Sequence, residues 1–337
     1  MYNETLSSPY ITENKVDRRL EQLENWLKQE GIRYQNIAPA SADASFRRYF
    51  RITNGEASFI VMDAPPEKED CKPFIHIANM LFAFGLNVPQ VLKQELEQGF
   101  LLLSDLGTTV FLSELNNDSV DELYDSAMKS LLLMQQKTAV DLPLYDETLL
   151  RNELRLFPEW YLNIQMKITL SEQQKQVLDN TFELLIENAL AQPQVCVHRD
   201  YHSRNLMINT KQPDKPGIID FQDAVIGAVT YDLVSLLKDC YINWPREKIE
   251  SWVKDFHGQA LSLGIIKAVS FDTFLRWFDL MGLQRHLKVA GIFSRLKHRD
   301  GKTGYLKDIP RTMDYVFDVI ARYPEFKPIQ KLLNDIL

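Results

Sequence analysis

Apolar positions in residues 16–30 recur every three or four residues. Val16, Leu20, Leu23 and Leu27 share one helical face, and Gly31 supplies the stop. Past that helix the period shortens. Short apolar runs at 46–52, 58–62, 88–94 and 100–104 read as strands. Asn54-Gly55 and Gln98-Gly99 are turn signals between neighbouring runs, so antiparallel hairpins are expected. One helix, 73–84, interrupts them and ends at Gly85. From residue 120 the texture is helical: 120–138, 147–167, 171–190, 233–241, 246–263 and 271–293 all carry that spacing. Between the third and fourth of these lies a β-rich insert, 195–223, in which 206–208 and 217–219 flank a polar turn at 211–216. The pattern predicts an α+β chain with two lobes. Residues 1–104 would form a small antiparallel sheet with a helix packed on it, and residues 105–337 a mainly helical lobe.

Composition narrows the function classes. Of 337 residues, 45% are hydrophobic and 25% charged, which is ordinary globular usage and excludes a disordered chain. Lys+Arg number 38 and Asp+Glu 46, a net charge of −8; general nucleic-acid binding needs the opposite balance. No apolar run is long enough to span a membrane, and residues 1–12 lack the basic start and apolar core of a secretion signal. Cys71, Cys196 and Cys240 are scattered, which fits neither a disulfide framework nor a zinc site and suits a reducing cytoplasm. No obligate protein partner is evident.

The strongest chemical signal lies in the insert. His198, Asp200 and Asn205 stand in the order H-R-D-x-x-x-x-N, and Ile218-Ile219-Asp220-Phe221 follows. Phosphoryl transfer needs a carboxylate near the acceptor hydroxyl and oxygen ligands for Mg²⁺ on nucleotide phosphates. Asp200 can orient the hydroxyl and take its proton. Asn205 and Asp220 can supply the metal with an amide and a carboxylate oxygen. His198, flanked by Val197 and Cys196, reads as a packed histidine that shapes the loop. Asp232 reads as a cap on the helix beginning at Leu233.

These residues, with Tyr231-Asp232-Leu233, resemble the aminoglycoside phosphotransferase/choline kinase branch of the protein-kinase-like fold. The resemblance spans almost the whole chain, from about Asp17 to Tyr323. It implies ATP and Mg²⁺ as cofactors, Asp200 as catalytic base, Asn205 and Asp220 as metal ligands, and Asp232 as a brace of the catalytic loop. The segment Leu101-Leu-Leu-Ser-Asp-Leu-Gly107 resembles the inter-lobe hinge, where backbone groups of Ser104, Asp105 and Leu106 would pair with adenine. A subgroup is closer still. The segments 43–51, 61–66, 284–293 and 299–305 are similar to those of the bacterial anomeric kinases of cell-wall recycling. That family phosphorylates N-acetylmuramate and N-acetylglucosamine at the C1 hydroxyl, and the sugar 1-phosphate feeds a route to UDP-N-acetylmuramate. Aminoglycoside or choline-type phosphotransfer, and an inactive nucleotide-binding scaffold, are the alternatives; the presence of Asp200, Asn205 and Asp220 together speaks against the scaffold.

The sequence departs from the wider family in one respect. Where a third-strand Lys would grip the phosphates, the strand reads Phe59-Ile-Val-Met-Asp-Ala64. Another cation is needed. Arg47 and Arg51 would share one strand face and Arg48 the other, with Arg48 favoured as a bidentate phosphate contact and Arg47 second. Ser45, with Ala42 and Ala44, is small enough to let backbone N–H groups approach a phosphate. For the acceptor, residues 294–311 are basic, and Arg299 and Lys302 are the candidates to recognise a lactyl carboxylate. Trp160 and Tyr161 could stack on a sugar face but read first as core. An aminoglycoside pocket, by contrast, needs many carboxylates.

Overall fold

A computed structural model of the chain describes residues 17–42, 46–139 and 141–337. They form two compact units. The first holds the described residues up to Cys71 together with Val91–Asp105, and the second holds Lys72–Gln90 and Leu106–Leu337.

The first unit is one helix on one sheet. Helix α1 (Arg18–Gln29) is capped by Asp17, whose side chain accepts the Leu20 N–H at 3.1 Å. Strands β1 (Asn36–Ala42), β2 (Arg48–Asn54), β3 (Ala57–Asp63), β4 (Val91–Glu95) and β5 (Phe100–Ser104) form an antiparallel sheet in the order β1-β2-β3-β5-β4. The Asn54-Gly55 signal makes the β2–β3 hairpin, with Gly55 at a φ of 61°. Strand alternation then sorts the faces. Phe50, Ile52, Val61, Phe100 and Leu102 point to α1 and bury against Leu23, Trp26 and Leu27. Strand β1 has no apolar alternation, which is why the sequence pattern passed over it. Val16, expected on the α1 face, lies outside the described residues.

The 73–84 helix is observed as α2 (Cys71–Ala83) and groups with the second unit. That unit continues with α3 (Phe111–Glu114), α4 (Val120–Gln136), α5 (Glu147–Leu156) and α6 (Glu172–Leu190). Strands β6 (Gln194–Val197), β7 (Leu206–Met207), β8 (Gly217–Ile218) and β9 (Val225–Ala228) follow, β6 pairing with β9 and β7 with β8. Helices α7 (Tyr231–Leu237), α8 (Arg246–Ser262), α9 (Phe271–Asp300), α10 (Ile309–Arg322) and α11 (Lys327–Ile336) complete the unit. The predicted 147–167 helix is not uniform. After α5 it widens to a π-helix over Phe157–Gln165, at the point where Pro158 has no N–H to continue the α-helical ladder.

Helix α9 organises the unit. It runs 30 residues, past the predicted end at 293, and most of its middle is buried. Gly291 lets it approach α5: a Cβ there would fall 2.4 Å from the Leu156 carbonyl carbon. Several charged residues are buried along it. Asp279 accepts from Lys238 Nζ at 2.8 Å, from Arg246 at 2.5 and 2.7 Å, and from Tyr323 Oη at 2.9 Å.

His286 on α9 is fully buried, stacked on Tyr315 with 4.6 Å between ring centroids, and its Nε2 donates to the Lys238 carbonyl at 2.9 Å. Burial, with the Arg285 guanidinium next in weight, pushes its pKa down to about 3. The unfolded chain binds a proton on this ring from about pH 6.5 downward and the folded chain refuses it, so stability falls as pH drops through that window. Going from pH 7 to 4.5 should cost about 2–3 kcal/mol through this ring alone. Urea unfolding of wild type and His286→Gln at the two pH values checks this. The variant should lose less stability on acidification; equal losses would contradict the assignment.

Candidate active site

Strand β6 delivers its buried Val197 to a loop whose backbone is held from below. Asp232, in the first turn of α7 and fully buried, accepts the N–H of His198 at 2.6 Å and of Arg199 at 3.0 Å. Burial raises its carboxyl to about 7, against the pull of those two N–H groups. Arg199 needs the brace, because it sits at a φ of 76°, a conformation that non-glycine residues adopt only at a cost. His198 Nδ1 accepts the Asp200 N–H at 3.2 Å, and its Nε2 faces the Ile219 carbonyl at 3.1 Å. Those partners require a neutral ring with the proton on Nε2. Burial agrees, pushing the His198 pKa down to about 4. Two of the ring's bonds therefore tie the loop before Asp200 to the strand exit before Asp220.

Asp200, Asn205 and Asp220 are brought together. Asn205 Nδ2 donates to the Asp200 carbonyl at 3.0 Å and to Asp220 Oδ2 at 3.2 Å. Its own carbonyl accepts the Ile219 N–H at 3.1 Å, which locks the loop to the β8 exit. Both bonds use the amide nitrogen, so holding a metal jointly with Asp220 requires the Asn205 amide to turn over and present Oδ1. Asp220, at a φ of 66°, accepts Gln222 Nε2 on Oδ1 at 2.8 Å, and Phe221 buries its ring against Phe74 at 5.0 Å. One amide oxygen and one carboxylate are too few to hold a divalent cation alone. Among the described residues no group of three or more His, Cys, Asp or Glu could do so either. The donor set fits a hard Mg²⁺ ion that takes its other oxygens from phosphates and water.

Charges behind Asp200 set its ionisation. Burial pushes its carboxyl up, but the fields of Lys288, His202 and Arg285 outweigh this and hold it below the usual value. Lys288 Nζ lies 3.0 Å from Glu153 Oε1 and donates to Tyr231 Oη at 3.0 Å. Glu153 also takes Arg199 and Tyr145. Sequence reasoning gave no role to Glu153, Arg285 or Lys288. The nearest signal in the sequence is Gln284-Arg-His-Leu-Lys288, four polar residues clustered between the apolar runs 280–283 and 289–293.

The first unit shows where the candidate phosphate cations are engaged. Arg48 lies on the sheet face covered by α1, where its Nε donates to Asp63 Oδ2 at 2.9 Å and its Nη1 to Asp17 at 2.5 Å. It pairs with Asp63 because the two are register partners in β2 and β3. Arg47 pairs with Glu69 at 2.9 Å. Arg51, on the opposite face from Arg48, donates to Asp105 at 2.6 and 3.0 Å, and Ser58 donates to the same carboxylate. Met62, at the place of the expected Lys, is fully buried. Ser104 ends β5, and Leu106 packs on Gly217, where a Cβ would lie 3.0 Å from its Cδ1. Ser45 lies outside the described residues.

The basic segment 294–311 is mostly helical. It is the end of α9, a 3₁₀ turn over Thr303–Asp308, and the start of α10. Arg299, in the last turn of α9, is exposed and pairs with Asp300 at 2.8 Å; Lys302 caps the 3₁₀ turn. Tyr161 is buried against Phe157, as core. An aromatic shelf lies elsewhere. It runs from His202 through Tyr241 and Phe293 to Tyr305, with successive centroids 5.5, 6.4 and 5.3 Å apart, and Arg204 lies over Tyr241 at 4.2 Å.

Comparison with known proteins agrees with this geometry. Residues 36–265 match the model of the phosphotransferase enzyme family. The N-acetylmuramate/N-acetylglucosamine kinases of Pseudomonas putida and Pseudomonas aeruginosa are each 45% identical over 332 residues, 95% of this chain and 97% of theirs. The GDP complex of aminoglycoside 2'-phosphotransferase-IIIa superposes with a TM-score of 0.62 at 17% identity, covering 91% of this chain and 99% of that one. The fold is thus the bilobal α+β, protein-kinase-like one. The chain belongs to the phosphotransferase enzyme family, and within it is similar to kinases of amino sugars. No helix among the described residues is long and apolar enough to cross a membrane.

Proposed function

We propose that this chain is an ATP- and Mg²⁺-dependent kinase that phosphorylates the C1 hydroxyl of N-acetylmuramate and N-acetylglucosamine in the cytoplasm, as a step of peptidoglycan recycling. The observation that carries the reading is the convergence of Asp200, Asn205 and Asp220 at the joined ends of the catalytic loop and β8. The 45% identity to sugar kinases supplies the acceptor class.

In this reading Asp200 accepts the hydrogen bond of the C1 hydroxyl and takes its proton as the oxygen attacks phosphorus. Lys288 and Arg285 keep that carboxylate ionised and ready. His198 and Asp232 hold the loop, and so the position of Asp200, from behind. Asn205 Oδ1 and the Asp220 carboxylate would hold Mg²⁺, which offsets phosphate charge when bound. Arg47, set by Glu69, takes the place proposed for the missing Lys, and Ser104, Asp105 and Leu106 remain the proposed adenine contacts. Nucleotide use is in line with the GDP complex of the solved relative.

The shelf favours a neutral or anionic sugar over an aminoglycoside. Arg204 lies on it, and the carboxylate of Asp308 nearby is taken by Arg311 at 3.4 Å. A polycation would meet like charge there. Incubation with MgATP and a panel of acceptors is the test. Both amino sugars should be consumed, with kanamycin and choline untouched; the reverse pattern would overturn the acceptor and leave the phosphotransferase standing.

A further inference from the structure

Helix α9 carries a row of cations on one face. Arg285, Lys288, Arg295 and Arg299 stand three, seven and four residues apart, the spacing that stacks side chains along a helix. The row starts at the base, because Lys288 and Arg285 are among the charges felt by Asp200. All but one of these cations are engaged. Lys288 has Glu153 and Tyr231, Arg285 has Cys240 Sγ at 3.5 Å, and Arg299 has Asp300. Arg295 is half-buried, and its Nε is in the interior with no hydrogen-bond partner; no ion pair to it is formed among the described residues. Burial and the neighbouring Arg299 both press its pKa down and outweigh the fields of Asp300 and Glu153, and Asp300 is already paired with Arg299. Glu153, whose field reaches it, is already shared by Lys288, Arg199 and Tyr145.

We propose that Arg295 is the residue that reads the acceptor's carboxylate: it binds the lactyl group that N-acetylmuramate has and N-acetylglucosamine lacks. The inference rests on the sugar-kinase reading above and adds the residue that sets acceptor preference within it. The spacing suits the role. Seven residues separate Lys288 from Arg295, about 10 Å along the helix axis, comparable with the span of a sugar ring and its lactyl arm. The proposal sets C1 at Asp200 and the lactyl arm along α9 toward Arg295. A guanidinium presents two parallel N–H donors that match a carboxylate, which would also give the buried Nε its missing partner. Arg299, the candidate that charge alone suggested, is one turn further on, exposed and self-paired.

The test is the ratio of kcat/KM for N-acetylmuramate to that for N-acetylglucosamine, with MgATP. In Arg295→Gln this ratio should fall about 10- to 100-fold, the loss expected for one charge-assisted pair, mainly through KM for N-acetylmuramate. Arg295→Lys should restore part of it, and Arg299→Gln should move it less than about twofold. Wild type offered N-acetylmuramate with its carboxylate converted to an amide should show the same loss without any change to the protein. An unchanged ratio in Arg295→Gln, a parallel fall for both sugars, or full activity on the amide would overturn the role of Arg295. A wild-type chain that phosphorylates neither sugar would overturn the kinase reading beneath it as well.

Discussion

Asp200→Asn should lower kcat about 10²- to 10⁴-fold, with little change in KM for either substrate. The amide keeps the size of the carboxylate, so the Asp200 carbonyl can still receive Asn205 Nδ2, and the His198 ring can still accept the residue's N–H. What disappears is the group proposed to accept the proton. The charges around it make that group an ionised one: burial works against the carboxylate, and Lys288, His202 and Arg285 together prevail. In Asp200→Asn, Lys288 and Arg285 lose the charge they face, so no other side chain gains basicity in compensation. Steady-state kinetics with saturating MgATP measures the effect. A loss below about tenfold would show that positioning and the metal carry the reaction and that Asp200 is not its base.

The second large effect is on stability. Asp279→Asn should destabilise the protein by about 3–5 kcal/mol, the cost of leaving buried cations without their carboxylate. Asp279 is fully buried, and Lys238 on the other side of the pair is almost as deep. Burial would raise the Asp279 carboxyl, but Lys238 and Arg246 hold it at about 2, so it is charged at neutral pH. An amide offers Lys238, Arg246 and Tyr323 one carbonyl oxygen in place of two carboxylate oxygens and puts an N–H₂ among donors. The site joins α7, α8, α9 and the residue that follows α10, so the damage should appear as loss of global stability, read by denaturant or thermal unfolding. A loss under about 1 kcal/mol would mean that the charges find water or rearrange.

Much of this was legible in the chain, and the exceptions have physical causes. The His198–Asn205 run and the Asp220 hairpin were readable because their function needs close spacing in sequence. The faces of β2 were readable too, since alternation is strict in a strand; which face α1 would cover, and so that Arg48 would pair with Asp63 beneath it, was not. The length of α9 was hidden by its charges. Arg285, His286 and Lys288 have the composition of a surface, and only tertiary partners such as Glu153 and the Lys238 carbonyl make them interior residues. Glu153 could not have been found by spacing, because it lies 47 positions from Asp200 and reaches the site through Arg199 and Lys288.

The central claim is that Asp200 directs the γ-phosphoryl group of ATP to the anomeric oxygen of an amino sugar. The most direct measurement is ³¹P NMR of the product formed from MgATP and N-acetylglucosamine by the purified chain. The prediction is a sugar phosphate whose phosphorus couples to the C1 proton, formed by wild type and not by Asp200→Asn. Phosphate on any other hydroxyl, or the same product at the same rate from both proteins, would contradict it.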